Sequence, residues 1–89
     1  MPRWEITVFG RVQGVGFRYY VRHCAEKLGV FGFVKNLSDG TVYILAEADE
    51  RAFESFCRLV NLGNSYSRVS KLDIQKLDCD NRYHDFEIR

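Results

Sequence analysis

Between Gly10 and Arg18 the chain reads GRVQGVGFR: three glycines within seven residues, then an aromatic and a fixed positive charge. Glycine has no Cβ, so it adopts positive φ readily and lets another group approach the main chain. A helix beginning near Phe17 would present N–H groups that have no partner inside the helix and that favour an anion. A glycine-rich loop opening onto such a helix is a candidate cradle for one phosphate group. Arg18 falls in the first turn, where a cation opposes the helix dipole. A bound phosphate cancels that conflict, and its oxygens suit the guanidinium fork. The loop is not a Walker A motif, because no Gly-Lys-Ser/Thr follows, and its glycines are not spaced as in the dinucleotide fingerprint. On residue types alone, the alternative is a plain glycine-rich connection with Arg18 facing solvent.

Such a loop needs a strand to enter it and a helix to leave it. Trp4, Ile6 and Val8 alternate, as in a half-buried strand. From Phe17 the period changes: Phe17, Val21, Cys24, Ala25 and Leu28 form one stripe of an amphipathic helix, which Gly29 stops. Phe31 to Asn36 reads as a second strand, Asp39-Gly40 as hairpin chemistry, and Val42 to Ala48 as a third strand. Phe53, Phe56, Cys57 and Val60 mark a second helix with acidic residues near its start. Arg68 to Leu77 reads as a fourth strand. Val69, Leu72 and Ile74 do not keep one parity, which places a bulge near Ser70-Lys71. Asp78 to Asp85 reads as polar loop, and Phe86-Glu-Ile as a short terminal strand. The order β-α-β-β-α-β predicts an α+β fold, the ferredoxin-like split βαβ arrangement, with an antiparallel sheet and two helices on one face.

Eighty-nine residues suit one domain, spanning 1–89. Thirteen basic and twelve acidic residues leave a net charge of +1, which argues against non-specific binding of nucleic acid or an acidic membrane. No apolar run approaches the ~18 residues of a membrane span. Cys24, Cys57 and Cys79 cannot all pair with one another and show no C-x-x-C spacing, so they read as reduced thiols of a cytoplasmic protein. A chain without an obvious apolar patch is expected to be a monomer. No Cys, His, Asp and Glu cluster has metal-ligand spacing, so neither metal nor cofactor is expected.

GRVQGVGFR, followed by GFVKN and a DGTV hairpin, resembles the acylphosphatase family, and the resemblance runs from Ile6 to the terminal FEIR. The eighteen-residue step from Arg18 to Asn36 fits as well. The resemblance implies hydrolysis of acyl phosphates to a carboxylate and inorganic phosphate, without metal or covalent intermediate. It implies Arg18 and Asn36 as catalytic residues, Arg18 binding phosphate and Asn36 positioning the attacking water. It also implies that Gln13, Gly14, Val15, Gly16 and Phe17 form, with Arg18, the phosphate-binding loop. The partner expected is a small acyl phosphate, with inorganic phosphate or sulfate as product or mimic. One departure stands out: the family often has Gly-Pro after the second helix, where this chain has Gly63-Asn64.

The residues suit that chemistry. A carboxylate leaving group, whose conjugate acid has a pKa of about 4, departs without being protonated. What remains is to hold the phosphoryl group, spread its charge and place a water in line. His23 falls on the polar side of its helix and His84 in a polar loop. Cys24 and Cys57 fall on inward stripes, and Cys79 reads as an exposed bystander. Taken alone, Asn36 also suits a turn residue before the hairpin. Two rivals keep the fold. In one, Val30 to Asn36 (VFGFVKN) mimics an RNA-recognition motif whose sheet aromatics stack bases, although that run sits on the second strand instead of the third and the chain lacks excess positive charge. In the other, the loop senses phosphate without turnover.

Overall fold

The computed structural model describes residues 1–77 and 82–89. Its elements are β1 (Arg3–Arg11), α1 (Phe17–Leu28), β2 (Phe31–Asn36), β3 (Val42–Glu47), α2 (Glu50–Leu62), β4 (Arg68–Leu77) and β5 (Phe86–Ile88). The strands form one sheet in the spatial order β4-β1-β3-β2-β5. This is the split βαβ arrangement the sequence predicts. Alternation along the strands sends Ile6, Val8, Val34, Val42 and Ile44 into one core with Phe17, Val21 and Ala25 of α1 and Phe53, Phe56 and Val60 of α2. Fully burying each of the Val, Ile and Phe side chains contributes about 1.5–3 kcal/mol. Trp4 and Phe53 stack with ring centroids 3.8 Å apart, fixing α2 against the start of β1.

The bulge predicted in the fourth strand is present. Phe9 pairs with Lys71 but Gly10 pairs with Val69, so Ser70 is the extra residue. The shift lets Val69 and Leu72, three apart in sequence, both pack on the core. Gly10 has φ 124°, and a Cβ there would lie 2.1 Å from the carbonyl oxygen of Arg68. Gly10 therefore serves the close crossing of β1 and β4, and only Gly14 and Gly16 are left to shape the loop.

The sheet departs from the predicted all-antiparallel pattern at one edge. β5 pairs with β2 in parallel, Gly32 with Phe86, Phe33 with Glu87 and Val34 with Ile88. The chain must therefore travel from β4, at one edge, to β5, at the other. Residues 78–81 lie outside the described residues, so the expectations for Cys79 and the start of the polar loop fall there. Where the chain reappears, the N–H groups of Arg82 and Tyr83 each donate to Oε1 of Glu47, at 3.1 Å. Glu47 is fully buried on the face away from the helices, and Arg3 donates to its Oε2 through Nε at 2.9 Å and Nη2 at 2.6 Å. Burial alone pushes this carboxyl up. The Arg3 guanidinium and the Tyr83 and Arg82 N–H groups outweigh it and hold the carboxyl below its usual range. On the same face Phe33 is 7% exposed, with the Arg89 guanidinium 4.0 Å from its ring centroid and the Tyr83 ring 5.9 Å away. It is covered, so it offers little surface on which a base could stack.

Candidate active site

The loop from Val12 to Gly16 leaves β1 and enters α1 at Gly16, whose φ of 77° and ψ of 13° are left-handed. Gly14, with φ 72°, bends the loop the same way. No side chain caps α1, and its first turn holds no acidic residue. The helix thus starts with N–H groups that no protein anion satisfies, beside the cation Arg18.

Three side chains, through four hydrogen bonds, hold the loop and its arginine. Gln13 turns away from the loop: its Nε2 donates to the Leu37 carbonyl at 2.7 Å and the Thr41 carbonyl at 2.8 Å. This ties the loop to the β2–β3 hairpin, immediately after Asn36, and leaves Gln13 only its main chain to offer an anion. Asn64, just after α2, donates from Nδ2 to the Val15 carbonyl at 2.8 Å. Arg18 donates from Nη1 to the Arg89 main-chain oxygen at 3.0 Å. Arg89 is itself placed by β5, since its N–H donates to the Val34 carbonyl at 2.8 Å.

That last contact brings the two candidate catalytic residues into relation. Arg18 is bonded to Arg89, Arg89 to Val34, and Val34 lies two residues before Asn36 on the same face of β2. Asn36 closes the strand opposite Val42. Its Oδ1 is buried and has no hydrogen-bond partner among the described residues. A buried amide oxygen left unmatched costs about 1–3 kcal/mol, so the position is poor value for a residue that only ends a strand.

The remaining reactive side chains stand apart. His23 and His84 are exposed. Cys24 is buried and its thiol is pushed up by burial; Cys57, expected inward, is half-buried and pushed up to about 11. Neither is a thiolate nucleophile near neutral pH. Tyr20, pushed up to about 12 by burial and by Cys24, donates to the Leu59 carbonyl at 2.5 Å and braces α1 against α2. Among the described residues no three His, Cys, Asp or Glu side chains converge to hold a metal ion, and no helix is long and apolar enough to cross a membrane.

Sequence reading singles out the loop, Arg18 and Asn36 but misses what holds them. Asn64 contacts Val15 across 49 positions and Arg18 contacts Arg89 across 71. The only sign of either in the sequence is the Gly63-Asn64 departure.

The family model for acylphosphatase matches residues 4–88. The chain is 40% identical to an acylphosphatase of Helicobacter hepaticus, over 97% of this chain and 95% of that one. It is 44% identical to an acylphosphatase of Archaeoglobus fulgidus, over 94% and 93%. Its structure is similar to the crystal structure of acylphosphatase from Bacillus subtilis, with TM-score 0.97 and 43% identity, covering 100% of this chain and 99% of that one. Agreement of sequence and fold over nearly the full length means that the chain belongs to the acylphosphatase family and is an enzyme that hydrolyses acyl phosphates to a carboxylate and inorganic phosphate.

Proposed function

We propose that hydrolysis proceeds by direct attack of water on phosphorus, with Arg18 and Asn36 as catalytic residues and the main chain of Gln13 to Phe17 as the phosphate cradle. The observation that carries this reading is the start of α1, uncapped, without an acidic residue, and beside a guanidinium held by Arg89. The loop N–H groups and the free edge of the Arg18 fork take the phosphoryl oxygens and their developing charge. The unmatched Oδ1 of Asn36 accepts from the attacking water and orients it in line with the leaving group. As the water oxygen bonds to phosphorus, the phosphorus–oxygen bond to the acyl group breaks, and its electron pair leaves with the carboxylate. The water's proton passes to a phosphoryl oxygen. No general acid is required, and the positive charge of Arg18 serves where other enzymes place a metal ion.

The same reading takes the chain as one domain acting as a monomer in the cytoplasm, with free Cys24 and Cys57 in keeping with a reducing compartment. The test compares benzoyl phosphate with an alkyl phosphate monoester. Benzoyl phosphate should turn over and the monoester should not, since its alkoxide leaving group needs a general acid. Activity should survive EDTA, and inorganic phosphate should inhibit competitively. Similar rates on both substrates, or loss in EDTA restored by a divalent ion, would refute the mechanism.

A further inference from the structure

We infer that Asn64 is a positioning residue for the phosphate loop, aiming one of its N–H donors by holding the carbonyl on the far side of the same peptide. The inference rests on the loop being the phosphate cradle.

A peptide unit is planar and trans, so the Val15 carbonyl and the Gly16 N–H belong to one rigid plane and point in opposite directions. Fixing the oxygen fixes the hydrogen. Asn64 Nδ2 donates to the Val15 oxygen at 2.8 Å. The same nitrogen lies 3.6 Å from where a Cβ of Gly16 would stand, so the amide rests against both residues of that peptide unit. With its oxygen drawn toward Asn64, the Gly16 N–H is aimed away from Asn64. The restraint matters because a flip of this peptide turns on Val15 ψ and Gly16 φ, and Gly16, at φ 77°, puts no Cβ in its way. Glycine tolerates the backbone angles on either side of a peptide flip, and a flip would turn a carbonyl toward the phosphate.

Asn64 is itself held firmly enough to do this. Its N–H donates to Ser67 Oγ at 3.0 Å, and the Ser67 hydroxyl donates back to the Asn64 carbonyl at 3.1 Å. The Gly63 N–H donates to Leu59 and closes α2 just before it. The turn is thus a short, bonded extension of α2 that ends in a side-chain amide. Asn64 Oδ1 is buried without a partner among the described residues. Proline, which the family often has here, has no side-chain donor to offer Val15. This chain reaches the loop by a hydrogen bond instead.

The experiment measures kcat and KM for benzoyl phosphate, phosphate affinity by calorimetry, and Tm for wild type, Asn64→Ala and Asn64→Asp. Losing the restraint lowers the fraction of loops ready to bind, which weakens apparent affinity by that fraction. For Asn64→Ala, KM and the phosphate dissociation constant should rise together by about fivefold, as one lost hydrogen bond allows, with kcat changed less than about twofold. Asn64→Asp keeps the shape but lacks the donor and sets a carboxylate against the Val15 oxygen, so the rise should be larger. A lower Tm with wild-type KM and phosphate affinity in both variants would make Asn64 purely structural and overturn the inference. So would wild-type affinity in Asn64→Asp alone. A wild type that fails to turn over would refute the catalytic reading instead, and the calorimetry would still decide the role of Asn64.

Discussion

The two helices of this molecule begin in opposite ways. At α2, Asp49 sits in extended backbone, with φ −69° and ψ 163°, and its carboxylate accepts the Ala52 N–H at 2.8 Å; Glu50 adds a second negative charge to the first turn. That helix carries its own anion. At α1, a left-handed glycine occupies the cap position, no side chain caps the first turn, no acidic residue stands in it, and the nearby charge is Arg18. Judged for stability alone, α1 is the poorer helix start, since a cap contributes about 1 kcal/mol and Arg18, unlike Arg51 in the first turn of α2, has no acidic residue beside it to offset its charge against the dipole. A fold that builds one well-capped helix is able to cap the other. The proposed phosphate cradle rests on this difference: α1 is the start left for an anion from outside the chain.

Arg18→Ala is the most severe way to break this contrast. Removing one preorganised donor of charge stabilisation costs about 3–4 kcal/mol, or roughly 10²–10³ in rate. The fold should survive, because the charge opposes the helix dipole. Arg18→Lys should recover little, since an ammonium cannot fork across two oxygens. Paired measurements of benzoyl phosphate turnover and thermal unfolding decide it. Near-normal turnover in Arg18→Ala would reject the site, and an unfolded variant would show that Arg18 is structural.

Glu47 extends the contrast to carboxylates and predicts damage of the other kind. Its charge is answered wholly from within the protein, by Arg3, Arg82 and Tyr83. Glu47→Ala removes the buried carboxylate on which Arg3 and the Arg82 and Tyr83 N–H groups converge, and should cost about 3 kcal/mol of stability, with turnover in the folded fraction intact. The pH dependence follows from the depressed carboxyl. Its stabilising contribution is fully present above the unfolded carboxyl's pKa of about 4.3 and fades as pH falls through the lower folded value. A plot of Tm against pH should therefore fall less steeply at acid pH in Glu47→Ala than in wild type. Parallel curves would show that Glu47 does not titrate as its partners imply.

Asn36→Ala tests the unmatched acceptor. An oriented water is worth about 10² in rate, so kcat should drop by about that factor while phosphate affinity changes little. Normal turnover with much weaker phosphate binding would reassign Asn36 to the cradle.

How legible these parts are in the sequence depends on whether their causes are local. The strands, both helices, the hairpin and the bulge at Ser70 follow from short-range periodicity and turn chemistry. The loop and Arg18 stand out because glycines before a helix start are a local pattern. Gly10 shares that glycine pattern without sharing its cause: the Arg68 carbonyl that excludes a side chain there lies on another strand. Glu47 gives no warning at all. Its parity with Tyr43 and Leu45 puts it on the face away from the helices, and it is buried only because the chain crosses there on its way to β5. The β5 pairing, Arg18 with Arg89, and Asn64 with Val15 are likewise products of topology, joining segments that neither periodicity nor propensity connects.

The mildest change sharpens the comparison from the other side. Asp49→Ala removes the cap of α2 and makes its start resemble that of α1 in one respect only. The lost hydrogen bond to Ala52 should cost about 1 kcal/mol, lowering Tm by about 4–8 °C in a domain of this size. Turnover should not change, because Asp49 stands on the other helix. The uncapped start should not become an anion site either: Glu50 remains in its first turn beside Arg51, and no glycine loop leads into it as one leads into α1. Added phosphate should therefore raise the Tm of wild type and Asp49→Ala by equal amounts, through the α1 cradle alone. In Arg18→Ala the phosphate-dependent rise should shrink or vanish. A larger rise in Asp49→Ala than in wild type would mean that any uncapped helix start in this fold takes phosphate. The glycine loop and Arg18 would then lose their claim to have built the site.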